Sequence, residues 1–103
     1  MLNILFVCAG GISTSFLEQR TKQAFDHRGV EATIKAHSAG DIDDRLEGVD
    51  VVLMAPQVSY MQQELEDICA QQGVKFAAIP MMVYGQMNGE AVCDMVLKLI
   101  QGE

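Results

Sequence analysis

Cys8 precedes Ala9-Gly10-Gly11 and then Ile12-Ser13-Thr14-Ser15, so a thiol stands just ahead of two glycines and a cluster of hydroxyls. Glycines let the main chain wrap closely around an anion, and the unsatisfied N–H groups of a helix that starts in this cluster point into the same concavity. The partial positive charge there favours a thiolate, lowering a cysteine pKa and raising the fraction ready to attack phosphorus. The hydroxyls of Ser13, Thr14 and Ser15 add donors for phosphoryl oxygens without adding full charge. A nucleophile and an anion cradle thus coincide over 8–15. On local pattern alone, the same residues read equally well as a small buried cysteine, a tight turn and a set of helix caps. Other glycine-loop chemistries fit poorly. No Lys follows the glycines as a P-loop needs, Gly10-Gly11 lacks the three-glycine dinucleotide spacing, and no C-x-x-C is present for a dithiol.

The elements around this segment have to hold it at an edge. The near-continuous apolar run 2–7 predicts a strand buried on both faces, as in the centre of a parallel sheet. Ile12, Phe16, Leu17, Ala24 and Phe25 predict the inward stripe of a first helix, capped by Ser13, Thr14 or Ser15 (with Glu18 as capping-box partner) and stopped at His27-Arg28-Gly29. A weakly alternating strand over 32–37 and a short polar helical turn over 41–47 follow. Next come a buried strand over 50–55 ended by Pro56 and a helix with Val58, Met61, Leu65, Ile68 and Cys69 inward, stopping near Gly73. A strand over 75–79 ends at Pro80, and Val92, Met95, Val96, Leu99 and Ile100 predict the buried face of a last helix. This order of strands and helices predicts an α/β sandwich: a parallel sheet, helices on both faces, right-handed crossovers. Ligands of such sheets gather outside the carboxyl ends of the strands, so the loops after Val7, Ala55 and Ile79 should share one rim.

Bulk properties narrow the function. A chain of 103 residues suits one domain, 1–103, and 50% apolar residues suffice for its core. Its net charge of -7 repels nucleic-acid backbones and anionic lipid, which argues against nucleic acid as a partner. Cys8, Cys69 and Cys93 are an odd number at wide separations, which fits neither a disulfide framework nor a metal site and implies a reducing compartment. Cys69 and Cys93 sit on or beside apolar helical stripes and are read as packing. His27 near a helix end is read as a favourable dipole interaction, and His37 has no evident partner. No run approaches the ~20 apolar residues of a membrane span, so no direct membrane insertion is expected and a cytoplasmic location is. No metal and no cofactor is called for.

Three blocks together carry a family resemblance: Leu5-Phe6-Val7-Cys8-Ala9-Gly10-Gly11-Ile12-Ser13-Thr14-Ser15, then Asp50 through Met61 (Asp-Val-Val-Leu-Met-Ala-Pro-Gln-Val-Ser-Tyr-Met), then Tyr84-Gly85-Gln86-Met87-Asn88-Gly89. In order and spacing they resemble the IIB components of the bacterial sugar phosphotransferase system, lactose/cellobiose family. The resemblance implies a four-stranded parallel sheet in strand order 2-1-3-4 and a phosphocysteine at Cys8, with Ala9, Gly10, Gly11, Ile12, Ser13, Thr14 and Ser15 around the phosphate. It implies a phosphohistidine-bearing IIA protein as donor, a membrane IIC component as sugar-bearing acceptor, and a docking surface around the loop, for which Pro56, Gln57, Tyr60, Tyr84 and Gly85 are the candidates. Tyr60 with Met61, and Tyr84 with Gly85, either border that rim or pack against the sheet. The family loop usually reads Cys-Ser-Ala-Gly-Met-Ser-Thr-Ser, so Ala9, Gly10 and Ile12 are mild departures that spare the thiol, and the Ser-Thr-Ser ending leans towards a cellobiose-like β-disaccharide as the sugar.

Low-molecular-weight phosphatases and arsenate reductases share much of this architecture and form the rival enzyme reading; an α/β binding module with an inert Cys8 is the non-catalytic one. In the phosphatases an arginine lies six positions after the cysteine, where this chain has Thr14, and an aspartate on another loop serves as acid. The loop 80–84, Pro-Met-Met-Val-Tyr, offers no carboxylate. Loss of one such stabilising donor costs factors of ~10² to 10³ in well-studied oxyanion sites. A carrier needs neither part, because cysteine departs as a thiolate with an unperturbed pKa of ~8.5.

Overall fold

The computed structural model describes residues 1–9 and 15–102, with the Asp41 side chain left aside. Its order is β1 Leu2–Cys8, α1 Ser15–His27, β2 Ala32–Ser38, a 3-10 turn over Ala39–Asp44, β3 Val51–Met54, a 3-10 turn over Pro56–Met61, α2 Gln62–Gln71, β4 Lys75–Ala78, α3 Met81–Gly85 and α4 Gly89–Gln101. The four strands form one parallel sheet in the order β2-β1-β3-β4.

Alternation along the two central strands divides the interior. Ile4, Phe6 and Cys8 of β1 join Val51 and Leu53 of β3 on one face, under Leu17, Ala24 and Phe25 of α1 and Val92, Cys93 and Val96 of α4. Leu5, Val7, Val52 and Met54 point to the other face, where Ile42, Val58, and Leu65 and Cys69 of α2 cover them. Both faces of the centre are therefore dry, which is why 2–8 and 51–54 are apolar at every position but Asn3. The sandwich and the strand order match the expectation from sequence.

Several boundaries differ. β1 and β2 each run to one residue more than expected, so Cys8 is the last residue of a strand and pairs with Ser38. The polar turn expected over 41–47 is a 3-10 turn three residues shorter at its end, over Ala39–Asp44, anchored by the buried Ile42. Pro56 opens a second 3-10 turn before α2 rather than the α-helix itself, with a kink at Val58. The segment after Pro80, expected as a loop, forms the short helix α3. Phe16, placed inward by its spacing, is exposed, as is Ile100; the fully buried polar residue Thr21 completes the inward face of α1 instead, its Oγ1 donating to the Leu17 carbonyl at 2.8 Å. Ile12 of that stripe lies outside the described residues.

Helix ends agree closely with the sequence signals. Gly29, at φ +71°, takes the left-handed position after α1, and the Val30 N–H donates to the Phe25 carbonyl at 3.0 Å, which satisfies a carbonyl the helix leaves open. Asn88 caps α4, its Oδ1 accepting from the Ala91 N–H at 3.0 Å. Arg28 spans from the end of α1 to Glu90 and Asp94 on α4, each at 2.7 Å, tying the two helices of one layer together.

Candidate functional site

Parallel strands bring their carboxyl ends to one rim, and the ladder fixes the order in which the chain leaves it. The Ala55 N–H donates to the Val7 carbonyl at 2.9 Å and the Ile79 N–H to the Met54 carbonyl at 2.9 Å, so the exits of β1, β3 and β4 are stepped side by side. With strands ~4.8 Å apart, these three ends span roughly 10 Å. The chain leaves β3 and β4 at this rim, and so does Ala9 after β1; the rest of the loop after β1 lies outside the described residues.

Cys8 stands at the end of this row that adjoins β2, on the strand between β2 and β3. The residue is 7% exposed, on the face of the sheet covered by α1 and α4, and its Sγ donates to the His37 carbonyl at 3.7 Å. His37, without evident partner in the sequence, thus supplies the main-chain acceptor that holds the thiol against β2. Ala9 comes next, half-buried, and turns towards the opposite face, packing with the cluster around Val7. Gly10, Gly11, Ile12, Ser13 and Thr14 lie outside the described residues. Ser15 is the first residue of α1, which begins at the rim and crosses back over the sheet, leaving the positive end of a 13-residue helix on the side of Cys8.

The remaining expected rim residues divide. Pro56 is half-buried, Gln57 and Tyr60 are exposed, and Gly85 is exposed at the end of α3. Tyr84 is buried and packs with the cluster that contains Cys8, so it supports the rim from beneath, while Met61 packs against the α2 side. The structure adds residues that the spacing concealed: Phe16, Met81 and Met82 stand out from the same rim. Phe16 was concealed by a helical stripe that fits it equally well, and the two methionines by their general use as core filler.

The other two cysteines do not join this site. Cys69 in α2 and Cys93 in α4 are fully buried, none of the three cysteines is in a disulfide, and burial pushes the Cys69 thiol up to about 11 and the Cys93 thiol upward as well. Neither is disposed to be a thiolate. Among the described residues no group of three or more His, Cys, Asp or Glu side chains could hold a metal ion, and no helix is long and apolar enough to cross a membrane.

A family model described as the PTS system lactose/cellobiose specific IIB subunit matches residues 3–95. The chain belongs to this IIB family. It is 32% identical over 100 residues to the oligo-beta-mannoside-specific EIIB component of Bacillus subtilis, covering 97% of each chain. It is 37% identical over 94 residues to the galactose-specific EIIB component of Lactococcus lactis subsp. cremoris, covering 86% of this chain and 87% of the relative. In three dimensions it is similar to the solution structure of a cellobiose-specific phosphotransferase IIB component from Borrelia burgdorferi, at a TM-score of 0.80 and 35% identity, with 98% and 93% of the two chains covered. The rim around Cys8 is therefore the rim of a IIB phosphotransfer domain. That membership sets aside the phosphatase and arsenate-reductase reading and the inert binding module as descriptions of the family.

Proposed function

We propose that Cys8 is the phosphoryl acceptor of this IIB domain, taking the group from a phosphohistidine of a IIA protein and passing it to a sugar held by a membrane IIC component. The observation that carries this reading is the position of the thiol: the last residue of the central strand β1, at the carboxyl rim, seven positions before the first residue of α1. In the first transfer the Cys8 thiolate attacks phosphorus, an S–P bond forms, the N–P bond breaks, and the histidine nitrogen keeps the electron pair. In the second, a sugar hydroxyl attacks phosphorus and passes its proton to solvent, the S–P bond breaks, and Cys8 leaves as thiolate with the electron pair.

Phosphoryl transfer asks mainly for alignment and charge stabilisation. Main-chain N–H groups of 9–15 and the positive end of α1 serve a phosphoryl dianion in both directions, and the hydroxyls of Ser13, Thr14 and Ser15 add donors. Thr14 in place of an arginine, and the absence of a carboxylate in 80–84, keep water from being an efficient acceptor. The sugar is a β-disaccharide of the cellobiose type, in keeping with the Ser-Thr-Ser loop ending and with the cellobiose-specific name of the Borrelia protein. The chain works as one domain in the cytoplasm, where its thiols stay reduced. Its Pro56, Gln57, Tyr60 and Gly85 lie in the docking region for both partners.

The test is intact-mass analysis after incubation with a phosphorylated lactose/cellobiose-type IIA protein. One thiol-linked phosphoryl group should appear on the wild type and none on Cys8→Ser, whose fold is retained. Full transfer by Cys8→Ser, or a label that maps to Cys69 or Cys93, rules the assignment out.

A further inference from the structure

Asn3 is the one polar residue of β1, and it borders a cleft away from the rim. The register sets Asn3 beside Thr33, Leu5 beside Lys35 and Val7 beside His37, so these side chains share one face of the sheet. At the centre of that face, Leu5 and Val7 are sealed by Ile42, Val58 and α2. Along the edge strand β2 the face stays open: Lys35 is exposed, and Thr33 and His37 are half-buried. Opposite them runs the segment 45–49, on its way from the first 3-10 turn to β3. The space between is a cleft of about 470 Å³ with Asn3, Thr33, Lys35, His37, Arg45 and Glu47 in its lining, a size that suits a small molecule.

The far wall is held in place by the core. Ile42 and Leu46 are buried, the Arg45 N–H donates to the Ile42 carbonyl at 2.7 Å, and the Val49 N–H donates to the Leu46 carbonyl at 3.0 Å. Gly48, at φ +78°, makes the turn between them and Asp50, which is bonded to Asn3. The cleft is therefore formed before any ligand arrives.

Its chemistry contrasts with that of the chain as a whole. Of 7 basic residues set against 14 acidic ones, Lys22 and Arg28 pair with carboxylates and Arg20 lies against the Phe16 ring. Lys35 and Arg45 form no ion pair with a described side chain, and they meet in this cleft with His37 and a single carboxylate, Glu47. The Asn3 Oδ1 is occupied by the Thr33 hydroxyl at 2.6 Å, which leaves the Asn3 amide as a donor. Two cations suit one phosphate group, an amide donor and a carboxylate acceptor suit hydroxyls, and the carboxylate repels a second anionic group.

We propose that this cleft is a binding site for a phosphorylated sugar, with Lys35 and Arg45 on the phosphate and Asn3 and Glu47 on sugar hydroxyls. The choice of a sugar phosphate over other phosphate esters rests on the carrier reading, in which it is the product of the domain's own reaction. The site itself is distinct from the Cys8 rim and needs no phosphocysteine.

Amide NMR titration of the Cys8→Ser chain with glucose 6-phosphate, inorganic phosphate and glucose tests the proposal. Glucose 6-phosphate should shift the Asn3 side-chain amide and the main-chain amides of Lys35, Arg45 and Val49, and should bind roughly tenfold tighter than inorganic phosphate, with no binding by glucose alone. Lys35→Gln and Arg45→Gln should each raise Kd by about tenfold with melting temperature unchanged, because both side chains are exposed. Glu47→Gln should tighten inorganic phosphate and narrow its gap to glucose 6-phosphate. Equal affinity for the two phosphates, unchanged Kd in the Lys35 and Arg45 variants, or shifts confined to Ala9 and Ser15–Leu17 at the rim overturns the proposal. Phosphoryl uptake by wild-type Cys8 is measured separately: uptake without binding in the cleft sinks the site and leaves the carrier, whereas binding without uptake sinks the carrier and leaves the site.

Discussion

Gly89, the first residue of α4, lies so close to the main chain of α1 that an added Cβ would stand 2.6 Å from the Thr21 nitrogen and nearer still to the Arg20 carbonyl group. The obstacle is backbone on a helix packed against the sheet, so neither partner yields by rotating a side chain. Gly89→Ala should therefore force α1 and α4 apart and cost about 1–3 kcal/mol, the range for overpacking. Gly85→Ala is the control: a Cβ there meets nothing within 4 Å and the residue sits in α3 without positive φ. It should be neutral or gain up to about 1 kcal/mol. Urea midpoints of the two variants against wild type decide the matter, and equal midpoints would mean that the two helices are free to separate.

Asp50 closes the opposite end of the sheet. Its Oδ2 accepts from the Asn3 N–H at 2.7 Å, its own N–H donates to the Asn3 carbonyl at 2.8 Å, and the Asn3 Oδ1 accepts from the Thr33 hydroxyl at 2.6 Å. One polar chain thus joins β2, β1 and the entry to β3 and fixes their register. Asp50→Ala leaves the Asn3 N–H to water at an exposed edge, and a loss of about 1–2 kcal/mol is expected for a hydrogen bond to a charged acceptor. Asp50→Asn, which keeps an acceptor, should recover about half. Chemical denaturation measures both, and an Asn variant weaker than the Ala variant would contradict this role.

The buried thiols predict how the fold responds to alkali. A neutral thiol fits the interior, so the native state holds its proton to higher pH than the unfolded chain does. Cys69 ionises near its ordinary 9.0 when unfolded and only at about 11 when folded, and the Cys93 thiol is shifted in the same direction by burial. Between those two values the unfolded chain binds fewer protons, so stability is intact below 9.0 and falls as pH rises towards about 11. For Cys69 the fall is at most about 3 kcal/mol over that interval, from about 1.4 kcal/mol per pH unit. Denaturation midpoints at pH 8 and pH 10.5, on a Cys8→Ser background, should converge when Cys69 and Cys93 are both replaced by alanine; an undiminished pH slope in that variant would assign the loss to other groups.

The central strands were legible in the sequence because burial on both faces leaves no room for a polar alternation: 2–8 and 51–54 read as strands from composition alone. The edge strand β2 was fainter because only one of its faces meets a helix layer, which leaves Lys35 exposed amid apolar neighbours. Pro56 and Pro80 mark where β3 and β4 end, but a proline suits a loop and a first helical turn alike, so the short helical turns that begin there left no separate signal. At the site, Cys8 and its loop were visible as a motif, whereas Phe16 fitted an amphipathic stripe by spacing and proved to face outward. The inward position one turn after Leu17 belongs to Thr21, whose hydroxyl is hidden by a bond to its own helix. A polar residue satisfied inside its helix is invisible to a pattern built on apolar side chains.

The contact between Cys8 and His37 gives the proposed chemistry a local readout. In the resting chain the Sγ donates to the His37 carbonyl, a bond that requires the thiol proton. Phosphocysteine has no such proton, and its dianionic phosphoryl oxygens would repel a carbonyl oxygen at the same place. Phosphorylation should therefore release the His37 carbonyl and turn the sulfur substituent towards the positive end of α1. The peptide group formed by the His37 carbonyl and the Ser38 N–H then changes its polarisation, so the Ser38 amide resonance should shift on phosphorylation more than those of Ala32 or Thr33 at the far end of β2. Cys8→Ser keeps an O–H donor on a shorter side chain and should leave Ser38 near its resting position with or without donor. Should Ser38 stay fixed while the wild-type chain becomes phosphorylated, the sulfur does not leave β2 when it takes up phosphorus.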